Sequence, residues 1–424
     1  MRISHIVISF AVRRIYSNNM FLRKILIPAM LFAAVTVKAQ LTDELYRSDY
    51  KIDKDNKGSL FIELDNLSFF KDNEYSGNVM KGYSLPGFWL QPKVVYYPLE
   101  NIKLELGAHL LKYWGAQQYP YASYFDIPEW QGNDFQHGFH ALPWLRAQMD
   151  FSDNFSVILG NIYGASNHRL IEPLYNPELN QTADPEAGAQ ILYSSKYFDL
   201  DFWGSWDSFI FRNDVHQESF TVGLSTRAKW NEPENDVHFY TNLQLLARHY
   251  GGEIDTITTN SVQTLMNGAL GIGTEWNASR KYLKKAGLEV DVLGYYQQAG
   301  KMWQQDSGYA IYSSAYADIK NVRLKAGYMW NNDFISMYGS PFFGSVSTKQ
   351  PGGVFDNPQL VHWGLEYTRS FGKYFSFGAD LSVYHCFGGK FIVDGVEENN
   401  KQSTSFSAGI YMRIKPSFLL FRKK

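Results

Sequence analysis

The chain is expected to be all-β, a transmembrane antiparallel meander barrel of about 16 strands, with 14 to 18 compatible with the pattern. Three observations predict this. First, apolar and polar residues alternate at period two in segment after segment from Gly58 onward. Leu200, Phe202, Trp206 and Ile210 line one face of a single stretch, and Asp201, Ser205 and Asp207 line the other. A strand sends successive side chains to opposite sides, so each segment has one greasy and one wet face. Second, the connections alternate short and long without a break, as expected of a barrel with tight periplasmic turns and longer external loops. Third, aromatic residues make up 17% of the chain, an excess suited to girdles at two membrane interfaces.

Residues 1–39 read as a leader. Met20-Phe21-Leu22-Arg23-Lys24 gives a basic start, Ile25 to Val37 an apolar run too short to span a bilayer, and Val37-Lys38-Ala39 a cleavage site before Gln40. Translation is expected to begin at Met20. Residues 40–57 form a short periplasmic segment, and 58–424 the barrel. The expected strands are 58–70, 87–98, 102–114, 139–151, 155–164, 187–197, 200–211 and 218–231. The second half gives 237–250, 264–277, 288–299, 308–319, 322–331, 359–371, 375–386 and 403–418. Short turns fall at Leu99–Asn101, Ser152–Asn154, Phe198–Asp199, Glu232–Asp236, Lys320–Asn321 and Gly372–Tyr374, with a longer link at 278–287. The long connections are 71–86, 115–138, 165–186, 332–358 and 387–402, with modest ones near 212–217, 251–263 and 300–307. Trp114, Trp230, Trp276 and Trp330 lie near strand ends, where interfacial aromatics belong.

Composition excludes several classes. A net charge of −2 with no basic block argues against nucleic-acid binding. One cysteine, Cys386, rules out internal disulfides and cysteine metal sites. The mean hydropathy of −0.31 is no objection to a membrane barrel, which shows lipid only every second residue.

Strand rhythm, loop asymmetry and the export signal together resemble the outer-membrane porins, in tone those of Bacteroidota. The resemblance implies insertion by the barrel-assembly machinery, a bacterial outer-membrane location and a possible homotrimer in the bilayer. One departure is the C-terminus, where Phe421 is followed by Arg422-Lys423-Lys424 instead of ending the chain. The 18 or so residues after Gln40 are too few for the plug of a TonB-dependent transporter.

Parity assigns the inward residues. The basic set is Lys93, Lys103, Arg146, Lys196, Arg227, Lys229, Arg248, Arg323, Lys325, Arg413 and Lys415. The acidic set is Glu63, Asp65, Glu105, Asp150, Asp201, Asp207, Glu275, Glu289, Asp291, Glu366 and Asp380. Each Lys or Arg at the midplane would cost about 2–4 kcal/mol facing lipid, so these groups require water or partners. The expected function is passive diffusion of small hydrophilic solutes, without a cofactor, a metal or enzymatic activity. A lumen closed by salt bridges, serving binding or adhesion, is one alternative. The near-balance of signs argues against a filter for one charge.

Loop 165–186 contains Pro177-Glu178, similar to the motif of a porin loop that folds into the barrel. It is expected to enter the lumen with His168, Arg169, Glu172, Glu178, Asp184 and Glu186, the acids facing Arg146, Arg227, Lys229 and Arg248. A barrel enzyme acting on lipid or lipopolysaccharide is the other alternative. No histidine has Ser two positions later, and no nucleophile is evident beside any of them. His238 and His362 have lumen parity. His137, His140 and Asp134 are read as solvated loop residues, not metal ligands.

Overall fold

A computed structural model describes residues 41–114, 140–208, 217–252, 261–278, 280 and 282–422. The expected export signal, His137, Asp134 and the whole of connection 115–138 lie outside them.

Sixteen antiparallel strands close into one barrel. They are β1 (Ser59–Glu74), β2 (Tyr83–Leu99), β3 (Ile102–Tyr113), β4 (His140–Ser152), β5 (Phe155–Asn161), β6 (Ala187–Ser194), β7 (Phe198–Ser208) and β8 (Ser219–Lys229). The second half comprises β9 (Val237–Tyr250), β10 (Gln263–Asn277), β11 (Leu283–Ala299), β12 (Ser307–Ile319), β13 (Val322–Asn332), β14 (Gln359–Phe371), β15 (Phe375–Cys386) and β16 (Ser403–Ile414). Each pairs with its sequence neighbours. Closure joins β1 to β16, from Asn66↔Ile414 to Glu74↔Phe406, and a continuation, Ser417–Arg422, pairs with Ser59–Glu63. Short turns lie at the end holding Ser59 and Arg422, called here the turn end. The longer connections lie at the opposite, loop end.

The outer face is apolar because alternate residues there meet hydrocarbon. Leu106, Leu145, Leu159, Leu270, Leu288 and Val292 are all exposed on it. Trp114 is exposed toward the loop end, and Trp230 and Trp276 toward the turn end. Aromatic side chains also roof inward glycines: Trp203 covers Gly223, Tyr240 covers Gly273 and Tyr316 covers Gly287, each too close to admit a Cβ. These contacts fill gaps in the wall that a bare glycine would leave.

Two expectations change. β5 ends at Asn161, not at 164. Gly160 adopts φ 88°, and a Cβ there would lie 2.2 Å from the Leu145 carbonyl oxygen. Asn161 then caps the neighbouring strand through Leu145 N–H to its Oδ1 at 2.8 Å, so the chain leaves the sheet and turns inward. The first part of the segment expected to be periplasmic lies against the inner wall. A helical turn, Leu41–Leu45, packs on the inner wall over Gly378, whose missing Cβ makes room for both leucines. Arg47 then donates to Ser166 O at 2.9 Å, and Gln148 Nε2 donates to Tyr50 O at 2.6 Å. The inner wall of β1–β3 is therefore partly apolar: Leu67, Phe69, Leu85, Trp89 and Leu111 pack with Leu41, Leu45 and Tyr46.

Connection 333–358 is the other surprise. It carries Phe334, Ile335, Phe342 and Phe343, all buried, and folds into the bore instead of standing in water. Above it, Val354–Asp356, Gly389–Val393 and Val396–Asn400 form a small three-stranded sheet closed over Phe355 and Phe391.

Candidate functional site

The barrel holds two sets of chemistry-bearing residues, one inside and one on the outer rim. All seventeen pore-lining candidates have inward parity: Lys103, Glu105, Arg146, Asp150, Asp201, Asp207, Arg227, Lys229, Arg248, Glu275, Glu289, Asp291, Arg323, Lys325, Glu366, Asp380 and Arg413. Most are paired along the wall. Glu105 takes Lys103 at 2.7 Å and Arg146 at 3.3 Å. Arg248 lies 3.2 Å from Asp207, Lys229 2.7 Å from Asp199, and Arg227 3.7 Å from Glu275. Arg323 makes a two-pronged contact with Asp318, and Arg413 another with Asp65. Tyr411 donates to Asp380.

Loop 162–186 crosses the bore, but its acids do not pair with Arg146, Arg227, Lys229 or Arg248, which wall carboxylates already hold. It reaches other walls instead. Glu172 contacts Lys325, which also bonds Glu366 at 2.8 Å. Glu178 accepts from Tyr83 and from Asn73 at 3.0 Å, and lies 3.4 Å from Lys71. Asp184 lies 2.7 Å from His140, and Arg169 only 4.0 Å from Asp199. His168 is clamped between Asp201 at 2.8 Å and Glu186 at 3.0 Å and stacks on Trp203 with ring centres 3.5 Å apart. Burial opposes a charge on His168, but the two carboxylates outweigh it and raise the imidazole to about 10. Burial likewise opposes charge on Glu172, yet Lys325 and His362 hold it at about 2.

Connection 333–358 meets this loop from the other side. Asn176 N–H donates to Tyr338 O at 2.8 Å, and Tyr338 Oη to Asp207 at 2.9 Å. Asn267 bonds both Ile335 O and Met337 N–H. Several cavities remain among the described residues, two of them roomy. One of about 210 Å³ is lined by Trp89, Trp144, Trp203, His168 and Arg146, and one of about 200 Å³ by Tyr312, Arg323, Lys325 and Glu366.

Among the described histidines, His109, His140, His168, His238 and His362 are buried in the bore. His249 and His385 share the parity of the outward apolar residues and stand at the loop end. Each faces a threonine across the ladder. His249 Nδ1 lies 2.9 Å from Thr264 Oγ1, and His385 Nδ1 lies 2.9 Å from Thr404 Oγ1. The His249 ring packs 5.1 Å from Phe220, and Glu218, two residues earlier on that strand line, accepts from Trp206 Nε1 at 2.6 Å. A carboxylate, an imidazole and a hydroxyl thus share one outward patch where the apolar belt ends.

A family model described as lipid A 3'-O-deacylase-type matches residues 52–423, nearly the whole chain. The chain belongs to this family. The expectation of a chain without enzymatic activity is corrected by that membership, which points to an enzyme. Comparison with curated proteins gave no match. The chain is also similar, at low identity, to solved outer-membrane proteins. OmpT of Vibrio cholerae, in its trimer form, is 11% identical, with 85% of this chain and 100% of that one covered at a TM-score of 0.44. OprD of Pseudomonas aeruginosa is 8% identical, covering 88% and 98% at 0.44. OccK9 of the same organism is 13% identical, covering 85% and 98% at 0.45.

Reading along the sequence did not bring the two outward histidine–threonine pairs together. Thr264 follows His249 by 15 positions and Thr404 follows His385 by 19, so a search for a hydroxyl two residues away passes over both. The signal lay in hairpin register: two strands of outward parity meeting at His249↔Thr264 and His385↔Thr404.

Proposed function

We propose that the protein is an outer-membrane acyl hydrolase that cleaves a fatty-acyl ester of a lipid A-type lipid at the loop-end rim. Membership of the deacylase-type family carries the reading, and the rim geometry supports it. An ester linkage lies where acyl chains meet headgroups, which is the level at which an aromatic girdle sits. His249 acts as general base: its imidazole takes the Thr264 hydroxyl proton as the oxygen attacks the acyl carbonyl. The sugar hydroxyl leaves with that proton, and water then hydrolyses the acyl-threonine to free the fatty acid. Glu218 places a carboxylate on the same outward patch. His385–Thr404 is the second candidate pair.

The experiment is mass spectrometry of lipid A incubated with purified protein in detergent micelles. Wild type should remove an acyl chain, and His249→Ala and Thr264→Val should each lower the rate by roughly a hundredfold or more. Lipid A left intact by the wild type would overturn the hydrolase. Activity retained by both His249→Ala and Thr264→Val but lost in His385→Ala would move the site to the second pair. The diffusion channel expected from the sequence is the second reading, favoured by the two charged cavities flanking the loop. A homotrimer and recognition of the last strand by the insertion machinery belong to the same proposal.

A further inference from the structure

The inner wall of β9–β11 carries an all-oxygen cluster that no ion pair of the bore neutralises. Asn242, Gly271 and Asp291 lie side by side in register on three adjacent strands. Glu289 and Tyr240 occupy the same face one step along, flanking Gly273. Tyr240 donates to Glu289, and Asn242 Nδ2 donates to Glu289 Oε1 at 2.8 Å. That bond fixes the amide, because turning it over would set its oxygen against the Glu289 carboxylate. Asn242 Oδ1 therefore points toward Asp291.

Asp291 is fully buried, and neither of its carboxylate oxygens has a hydrogen-bond partner. Asn242 Oδ1 is also buried without a partner. Both groups lean over Gly271: a Cβ built there would lie 2.0 Å from Asp291 Oδ1 and 2.4 Å from Asn242 Oδ1. Two acceptors thus converge with no donor between them. The basic residues of the adjoining wall are committed elsewhere, Arg227 (which also lies over the Tyr240 ring) and Lys285 both pairing with Glu275. A buried carboxylate without a counter-charge is strongly unfavourable, so this one calls for a proton shared with Glu289 or for a positive partner.

We propose that Asn242, Glu289 and Asp291 bind one hard divalent cation of the Ca²⁺ or Mg²⁺ class on the inner wall. Carboxylate and amide oxygens are the donors such ions take, and no sulfur or imidazole competes. Asn242 stands where a third acid would otherwise be needed: among the described residues no three His, Cys, Asp or Glu side chains converge. The ion cross-links β9 to β11 over the glycine between them. This inference is independent of the acyl-hydrolase reading.

The test uses the full chain folded in detergent, stripped with chelator and titrated with Tb³⁺, whose emission Tyr240 would sensitise. Wild type should show saturable tyrosine-sensitised emission that Ca²⁺ displaces. Asp291→Asn keeps the shape and should weaken this binding by roughly tenfold or more. Glu289→Gln provides the same comparison if the first variant does not fold, with heat-modifiable mobility on gels reporting the fold. Equal emission from wild type and a folded variant would overturn the site. Absence of sensitised emission from wild type, with melting indifferent to chelator, would also overturn it and assign a shared proton to Glu289 and Asp291.

Discussion

Arg413 gathers three parts of the protein onto one guanidinium. It grips Asp65 across the β1–β16 closure at 2.9 and 2.7 Å and donates to Leu45 O at 2.7 Å. Replacing it by Met would take from the largely covered Asp65 its two-pronged partner, leaving only the more distant Lys93 and Lys415, and we expect a loss of about 3 kcal/mol, read as an earlier heat-modifiable transition. His168 supports a second prediction. Its pKa is raised in the folded state, so its stabilisation is complete below the unfolded value of about 6.5 and fades as pH rises toward about 10. Emission from Trp203, stacked on the ring, should titrate with a midpoint near 10, and His168→Gln should abolish that titration. Inward parity was legible for both Asp65 and Arg413. Their pairing was not, because 348 residues separate them and only barrel closure brings them together.

The strands were readable because hydrocarbon outside and a polar bore inside impose period two on every crossing. Loops obey no such rule. That 165–186 would enter the bore rested on Pro177-Glu178, yet its contacts with Lys71, Lys325 and His140 depend on which walls it reaches in three dimensions. For 333–358 a warning was present: Phe334, Ile335, Phe342 and Phe343 are too apolar for a solvated loop. Deleting residues 168–184 should raise single-channel conductance in planar bilayers and increase the size of solute admitted to proteoliposomes. Unchanged values for both would show that this loop does not restrict the bore.

For the molecule as a whole, the alternation of connections fixes the two ends but not which one faces the cell exterior. If the loop end is external, as the deacylase reading requires, a thiol introduced by Glu397→Cys should react with an impermeant maleimide on intact cells. One introduced by Asp153→Cys should react only after the outer membrane is opened. Both residues are exposed, whereas the native Cys386 is buried and should stay silent. The reverse labelling pattern would place the His249 and His385 rims at the inner leaflet. The fold was legible from periodicity, but the family membership was not, because the reading looked for a histidine with a serine two positions later and the chain has none.

Closure between β1 and β16 also has a consequence in time. The closing partners of Ser59–Glu74 lie in β16 and its continuation, at the far end of the barrel sequence, so a chain lacking them cannot seal the cylinder. Until then the edge of β1 is an open template, and the loop that must be closed spans nearly the whole polypeptide, a slow kind of contact to form. Leu41–Tyr50, held against Arg413, Ser166, Asn167 and Gln148, lies within the space that this last pairing encloses. The first part of the described chain must therefore be stowed before or as the final strand docks. Assembly thus resembles a container packed first and zipped last.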